Sequence, residues 1–305
     1  WGYAGLFNVG LMGFAALGGI AAVLVSMEPV PEAWAAGGAG IGAGLITSIA
    51  TVVLAIMAYR RLPKGALKGW GMTGIIVLGY FLARYFFDPA VARIESVNPA
   101  QSGFLGGLGL PIAWSWLVGG LLAAAVAAVI GKVTLGLRSD YLAIATLGIS
   151  EIIIAVLKNE DWLTRGVKNV NGLPRPVPFE YDLQQTVWAQ EWAARFGADL
   201  QDFTSIYVKL CYAGLSLVIL LALFWLAQTA IKSPWGRMMY AIRDNETAAE
   251  AMGKHVKGRH LQVFIIGSAV VGLAGAMMTT MDGQFTPTTY NPLRFTFLIW
   301  VMVIV

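Results

Sequence analysis

The sequence has 305 residues, of which 57% are hydrophobic and only 12% charged, with a formal net charge of +4. Soluble chains carry about 25% charged residues, so a mean hydropathy of +0.68 excludes an ordinary globular enzyme and implies a membrane protein. The small basic excess is no nucleic-acid signal until its bases are placed. The single cysteine, Cys211, sits in an apolar run and excludes both a disulfide and a thiolate metal cluster.

The chain opens "WGYAGLFNVG", without Met or a basic leader, and stops at "FLIWVMVIV" inside an apolar run. Both ends are therefore expected to be cut from a longer protein. Crossing a bilayer takes about 20 apolar residues. Stretches of that kind fall at 6–26, 39–59, 70–87, 112–131, 141–157, 205–228 and 261–281, and a last one begins near Phe295. The predicted fold is all-α: a polytopic transmembrane bundle of about eight spans, the last one truncated, forming a single domain over 1–305. Glycine is abundant, 36 residues, and clusters as "GGAGIGAG" at 37–44 and "GLAGAM" at 272–277. Small residues of this kind let membrane helices approach closely.

Basic residues set the orientation. Arg60, Arg61, Lys64 and Lys68 crowd the second connection, and Lys132 and Arg138 mark the fourth. Lys232, Arg237, Arg243, Lys254, Lys257 and Arg259 mark the sixth. The alternate connections are poorer in bases, so the even ones are expected in the cytoplasm. The long connection 158–204 is then extracytoplasmic. It holds the turn-rich run "TRGVKNVNGLPRPVP", followed by an amphipathic helix near 184–196 with Trp188 and Trp192 on one face. Those rings suit lipid headgroups or a partner protein.

The cytoplasmic connection 229–260 contains "AIRDNETAAEAMGKHV" at 241–256, a polar island between apolar runs. Thr247-Ala248-Ala249-Glu250 fits a capping box, and Gly253 fits a helix stop with Lys254 and His255 beside the negative end of the dipole. A helix of about two turns is not stable on propensity alone. Its alanine floor, with Met252 as the largest apolar residue, suits docking into a groove on another protein. Catalysis is not expected here. The two histidines, His255 and His260, lie in this loop, so no Ser/His pair can form in the membrane, and no G-x-x-x-x-G-K-[ST] phosphate loop is present.

The segment "SPWGRMMYAIRDNETAAEAMGKHV" (233–256) resembles the cytoplasmic loop of ABC-importer permeases for branched-chain amino acids. "LRSDYLAIATLGISEII" (137–153), "NGLPRP" (171–176), "GYAGLFNVGLMGFAALG" (2–18), "GLAGAM" and "FTPTTY" are similar to further motifs of that family, in the same order. The resemblance implies a type II-like importer permease. Its coupling helix would comprise Arg243, Glu246, Thr247, Ala248, Ala249, Glu250, Met252 and Gly253 and dock on an ATPase. It also implies the partners: ATP-binding subunits holding ATP and Mg, a homologous permease, an extracytoplasmic substrate-binding protein and membrane lipid. No nucleic acid and no cofactor in this chain are implied. The general loop has Glu where Thr247 stands here, so an essential salt bridge from Glu246 is not carried over.

Glu151 lies about 15 Å into its span at 1.5 Å per residue. Acids at such depth mark function by default, though Glu151 could instead fix packing against a neighbouring helix. Thr146 and Glu151 are the candidate pathway residues, with Ser150 as a polar neighbour. Branched-chain amino acids are the expected substrate, in a multi-pass protein of the bacterial inner membrane. Urea, short amides or other amino acids are the alternatives within the family. A stand-alone channel, an ion-coupled carrier or a purely structural membrane subunit are the alternatives outside it.

Overall fold

The computed structural model describes residues 2–61, 66–98, 103–166 and 168–304. Lys64, one of the bases expected in the cytoplasm, falls outside them. In chain order the α-helices begin with α1 (Leu11–Ser26), α2 (Pro31–Ala33), α3 (Ala39–Arg61), α4 (Ala66–Ser96), α5 (Ile112–Thr134) and α6 (Ser139–Asn159). Next come α7 (Asp161–Thr164), α8 (Glu180–Gln184), α9 (Val187–Phe196) and α10 (Leu200–Lys232). Then follow α11 (Pro234–Asp244), α12 (Glu246–Ala251), α13 (Val256–Asp282) and α14 (Pro292–Ile304). Two short strands, β1 (Val170–Asn171) and β2 (Gln284–Phe285), pair antiparallel.

A helix stands at each of the eight expected spans. Among the described residues six are long and apolar enough to cross a membrane: Pro31–Arg61, Lys68–Ser96, Ile112–Thr134, Tyr141–Asn159, Leu200–Lys232 and Val256–Asp282. The first expected span is shorter than its apolar run. Residues 6–10 lie outside any helix, and α1 begins only at Leu11.

The chain divides into two compact units. Unit 1 joins Trp1–Ser26, Leu110–Ala155 and Val170–Val305. Its centre is α1, packed between α5 and α13. Glycine explains how close they come. A Cβ added at Gly18 would collide with the Gly272 carbonyl of α13. One added at Gly119 of α5 would lie 3.2 Å from the Gly18 Cα, and one at Gly272 2.6 Å from the Gly119 carbonyl oxygen. Three backbones therefore meet along one glycine seam, which dispersion rather than water expulsion stabilises inside a bilayer. Phe14 and Phe264 close the seam edge to face, with ring centroids 5.7 Å apart.

The β1–β2 pair ties together two stretches distant in sequence: Val170 pairs with Phe285, and the Leu173 N–H donates to the Gly283 carbonyl at 3.2 Å. "NGLPRP" thus lies against the chain leading into "FTPTTY". The Tyr290 hydroxyl is buried 2.5 Å from the Thr279 Oγ1 of α13. The predicted amphipathic helix is α9. The Thr186 hydroxyl accepts from the Ala189 N–H at its start, and Gly197 ends it at a φ of 62°. The ring of Trp188 meets Tyr207 of α10 edge-on at 5.1 Å, and Phe196 stacks over Phe203 at 6.2 Å. Packing on α10 thus takes part of the face expected to meet headgroups or a partner.

Unit 2 comprises Met27–Gly109 and Val156–Asn169. It is built on the α3–α4 pair, where Gly37, Gly40 and Gly44 of "GGAGIGAG" lie against Ala90, Ile94 and Phe87 of α4. Trp162 of α7 meets Phe87 edge-on at 5.2 Å. The buried Thr164 hydroxyl donates to the Leu157 carbonyl at 2.6 Å, fixing the end of α6.

Candidate docking helix and pathway residues

The polar island folds as α11 and α12 leading into α13, and each turn has a local cause. The Ser233 hydroxyl caps α11 by accepting from the Gly236 N–H at 3.3 Å, and Pro234 follows at the first helical position, where a missing N–H costs nothing. Gly236 passes so close to the Ile231 carbonyl that no Cβ fits. Asn245 then separates the helices. Its extended backbone (φ −158°, ψ 99°) donates to the Ala241 carbonyl behind it at 3.1 Å. Its side-chain oxygen accepts from the Ala248 N–H ahead at 2.9 Å.

This corrects the expected capping box. The cap is Asn245, not Thr247, because the residue that breaks the helix direction is the one free to fold back on the new N-terminus. Thr247 is already inside the helix, and its side chain is exposed. The predicted stop is present. Gly253 has a φ of 77°, its N–H donates to Glu250 at 2.9 Å, and the Lys254 N–H donates to the Ala249 carbonyl at 3.0 Å. That pair of bonds is the Schellman arrangement, which needs a left-handed residue.

The faces of α12 differ from expectation. Ala249 is 8% exposed and belongs to this chain's own core, with Met239 and Ile242 of α11 and Val256 and Phe264 of α13. It therefore faces inward, into this chain's own core. Thr247, Ala248, Glu250 and Ala251 are exposed, and Met252 stands out at 81%. Arg243 pairs with Asp244 at 3.1 Å and lies over the Tyr240 ring at 5.2 Å. The Glu246 carboxylate is 4.0 Å from Nε2 of the buried His260, in the first turns of α13. Sequence reasoning gave no role to Asn245 or His260. The signal for Asn245 was its place at the junction of two helical patterns, whereas His260 acquires its contact only through the folding back of α12.

The two pathway candidates are not brought together. The Thr146 hydroxyl accepts from the Val9 N–H at 3.2 Å and donates to the Ala143 carbonyl at 3.0 Å. Ser150 accepts from the Gly13 N–H at 2.8 Å. Both hydroxyls serve the start of α1, where an interrupted helix leaves N–H groups that lipid could not satisfy. Asn8 helps by accepting from the Gly10 N–H at 2.9 Å. Glu151 lies five residues beyond Thr146, about 140° around the helix. It is exposed, along the outer face that carries Ile144, Gly148 and Ile152. Among the described residues it makes no hydrogen bond or ion pair.

The chain is thus a polytopic helical membrane protein with a glycine-packed centre and a short capped helix between two spans. Residues 66–305 match the family described as branched-chain amino acid transport system / permease component, and the chain belongs to that family. It is 30% identical over 252 residues to the high-affinity branched-chain amino acid transport system permease protein LivM of Escherichia coli, covering 81% of this chain and 56% of that protein. It is 21% identical to a probable branched-chain amino acid transport permease protein LivM of Methanocaldococcus jannaschii, covering 84% and 65%. It is 22% identical to the fructose import permease protein FrcC of Rhizobium meliloti, covering 80% and 55%. The chain thus spans roughly half to two thirds of the length of these relatives. No solved structure matches. The chain is a multi-pass membrane protein.

Proposed function

We propose that this chain is the membrane-spanning permease of an ATP-driven importer in a bacterial inner membrane. It translocates leucine, isoleucine or valine delivered by an extracytoplasmic binding protein. The reading is carried by α12, a helix too short to stand alone that is anchored by one inward alanine. It presents Thr247, Ala248, Glu250, Ala251 and Met252 outward. Such a face seats in a groove of an ATPase subunit that binds ATP and Mg and performs the hydrolysis. Movement of that subunit reaches α13 through Ala249 and the Glu246–His260 contact. Connection 229–260 is then cytoplasmic and connection 158–204 extracytoplasmic.

Glu151 supports a second element of the reading. A carboxylate turned to lipid is costly, and an outer face is relieved when it meets a water-lined path beside a homologous permease. There the acid faces the ammonium group of an amino acid. The match to a fructose import permease favours a second substrate class, so the assay includes sugars, urea and short amides beside leucine.

The test is co-purification of the ATPase and leucine uptake in the reconstituted complex. Met252→Glu is expected to release the ATPase from a normally folded permease. Glu151→Gln is expected to keep assembly and lose uptake. An unchanged complex with Met252→Glu means that α12 faces water, and the docking assignment then fails.

A further inference from the structure

A second surface of unit 1 has a composition that docking on an ATPase does not use. Between the ends of α10, α11 and α13 runs a groove of about 440 Å³, lined by Ala227, Ala230, Ile231, Met239, Val263 and Ile266. Its wall continues the stripe of α10 that holds Leu220 and Phe224, both more than half exposed. The groove is therefore open to whatever surrounds α10 in the membrane.

The mouth is of opposite character. The Trp235 indole N–H donates to Gln262 Oε1 at 3.4 Å, and the same oxygen accepts from Arg259 Nη1 at 3.0 Å. Arg237 Nη1 donates to the Lys232 carbonyl at 3.3 Å, which holds its guanidinium at the turn between α10 and α11. Lys232 and Arg237 thus adjoin the lining residues Ile231 and Gly236 in sequence, Arg259 is linked to the lining Trp235 through Gln262, and neither 227–240 nor 259–267 contains an Asp or Glu. An apolar slot flanked by three cations, with no acid in the same stretches, is complementary to a molecule with a hydrocarbon tail and a negative head. Basic pockets between helices at the cytoplasmic surface hold anionic headgroups in this way, and Trp sits at that depth. A protein helix in the same slot would need acids at its end.

We infer that this groove binds one anionic phospholipid, with an acyl chain between α10 and α13 and its phosphate at Lys232, Arg237 and Arg259. The bound lipid fills the space beside α11 and so holds α11 and α12 at a fixed height against the membrane surface.

The full-length chain in its native assembly, equilibrated with equal phosphatidylglycerol and phosphatidylcholine and then washed in detergent, gives the test by lipid extraction and mass spectrometry. Phosphatidylglycerol is expected to be retained at about one per permease and at least about tenfold over phosphatidylcholine. Each of Lys232→Gln, Arg237→Gln and Arg259→Gln is expected to lower its retention about fivefold. Ala230→Phe, which fills the slot and leaves the bases, is expected to abolish it. Equal retention of the two lipids in the unmodified protein overturns the inference, as does full retention in Ala230→Phe. Loss of a partner protein from Ala230→Phe, with lipid content unchanged, assigns the groove to a protein helix instead.

Discussion

Helices α1 and α10 are both strongly apolar, yet they meet opposite surroundings. Every residue of α1 except Leu17 and Leu24 is buried, whereas α10 buries only Thr204, Val208 and Tyr212, all near its start. Hydrophobicity cannot sort them, because a lipid tail is as apolar as a leucine. Residue size does. "LMGFAALGGIAAVLVS" lets other backbones in, while "LSLVILLALFWLA" keeps them out with bulk. The inside of a membrane protein is where its small residues are.

The sharpest way to break that contrast is to put bulk on the seam. Gly18→Leu drives a side chain into the Gly272 backbone and is expected to destabilise the permease by more than about 3 kcal/mol, beyond ordinary overpacking. Leu220→Ala on exposed α10 should stay within about 0.5 kcal/mol. Thermal or detergent unfolding of the two variants compares them directly. If both melt together, the seam is not the core.

The same contrast runs across α12 on a smaller scale. Ala249→Glu places an unpaired carboxylate in the permease's own core and is expected to cost about 2–3 kcal/mol of its stability. Met252→Glu should leave the melting point unmoved, so any effect it has is on partner binding. A stable permease carrying Ala249→Glu would mean that the inward face is drawn wrongly.

Smaller effects fall at the helix ends. Nothing lies within 4 Å of a Cβ built at Gly253, so Gly253→Val is expected to show the left-handed strain alone, about 1–2 kcal/mol. Asn245→Ala should cost about 1 kcal/mol through loss of the cap, and Thr247→Ala close to nothing. The reverse order in unfolding measurements would restore the cap to Thr247.

Much of this was legible in the residues. The eight helices and the stop at Gly253 follow from apolar length and from backbone chemistry local to a few residues. Glu151 was also visible as an acid deep in a span. Its direction was not, nor was that of Thr146, because one helix turn supplies both an inner and an outer face. Only the packing of α6 on the interrupted start of α1 decides which polar group becomes a cap and which is left outside.

The sequence by itself determined that the chain crosses a membrane as helices, roughly where they lie, although α4 runs on to Ser96 and α1 starts only at Leu11, and that a short polar helix interrupts them. Those features depend on hydrogen bonds and hydrophobicity along one stretch of chain. The tertiary structure decided that Asn245 caps α12, that Ala249 points inward and Met252 outward, and that α1 is the centre of unit 1. Each of these depends on which surface meets which across distant parts of the chain. A run of apolar residues carries no mark of that, because in lipid both sides are equally apolar.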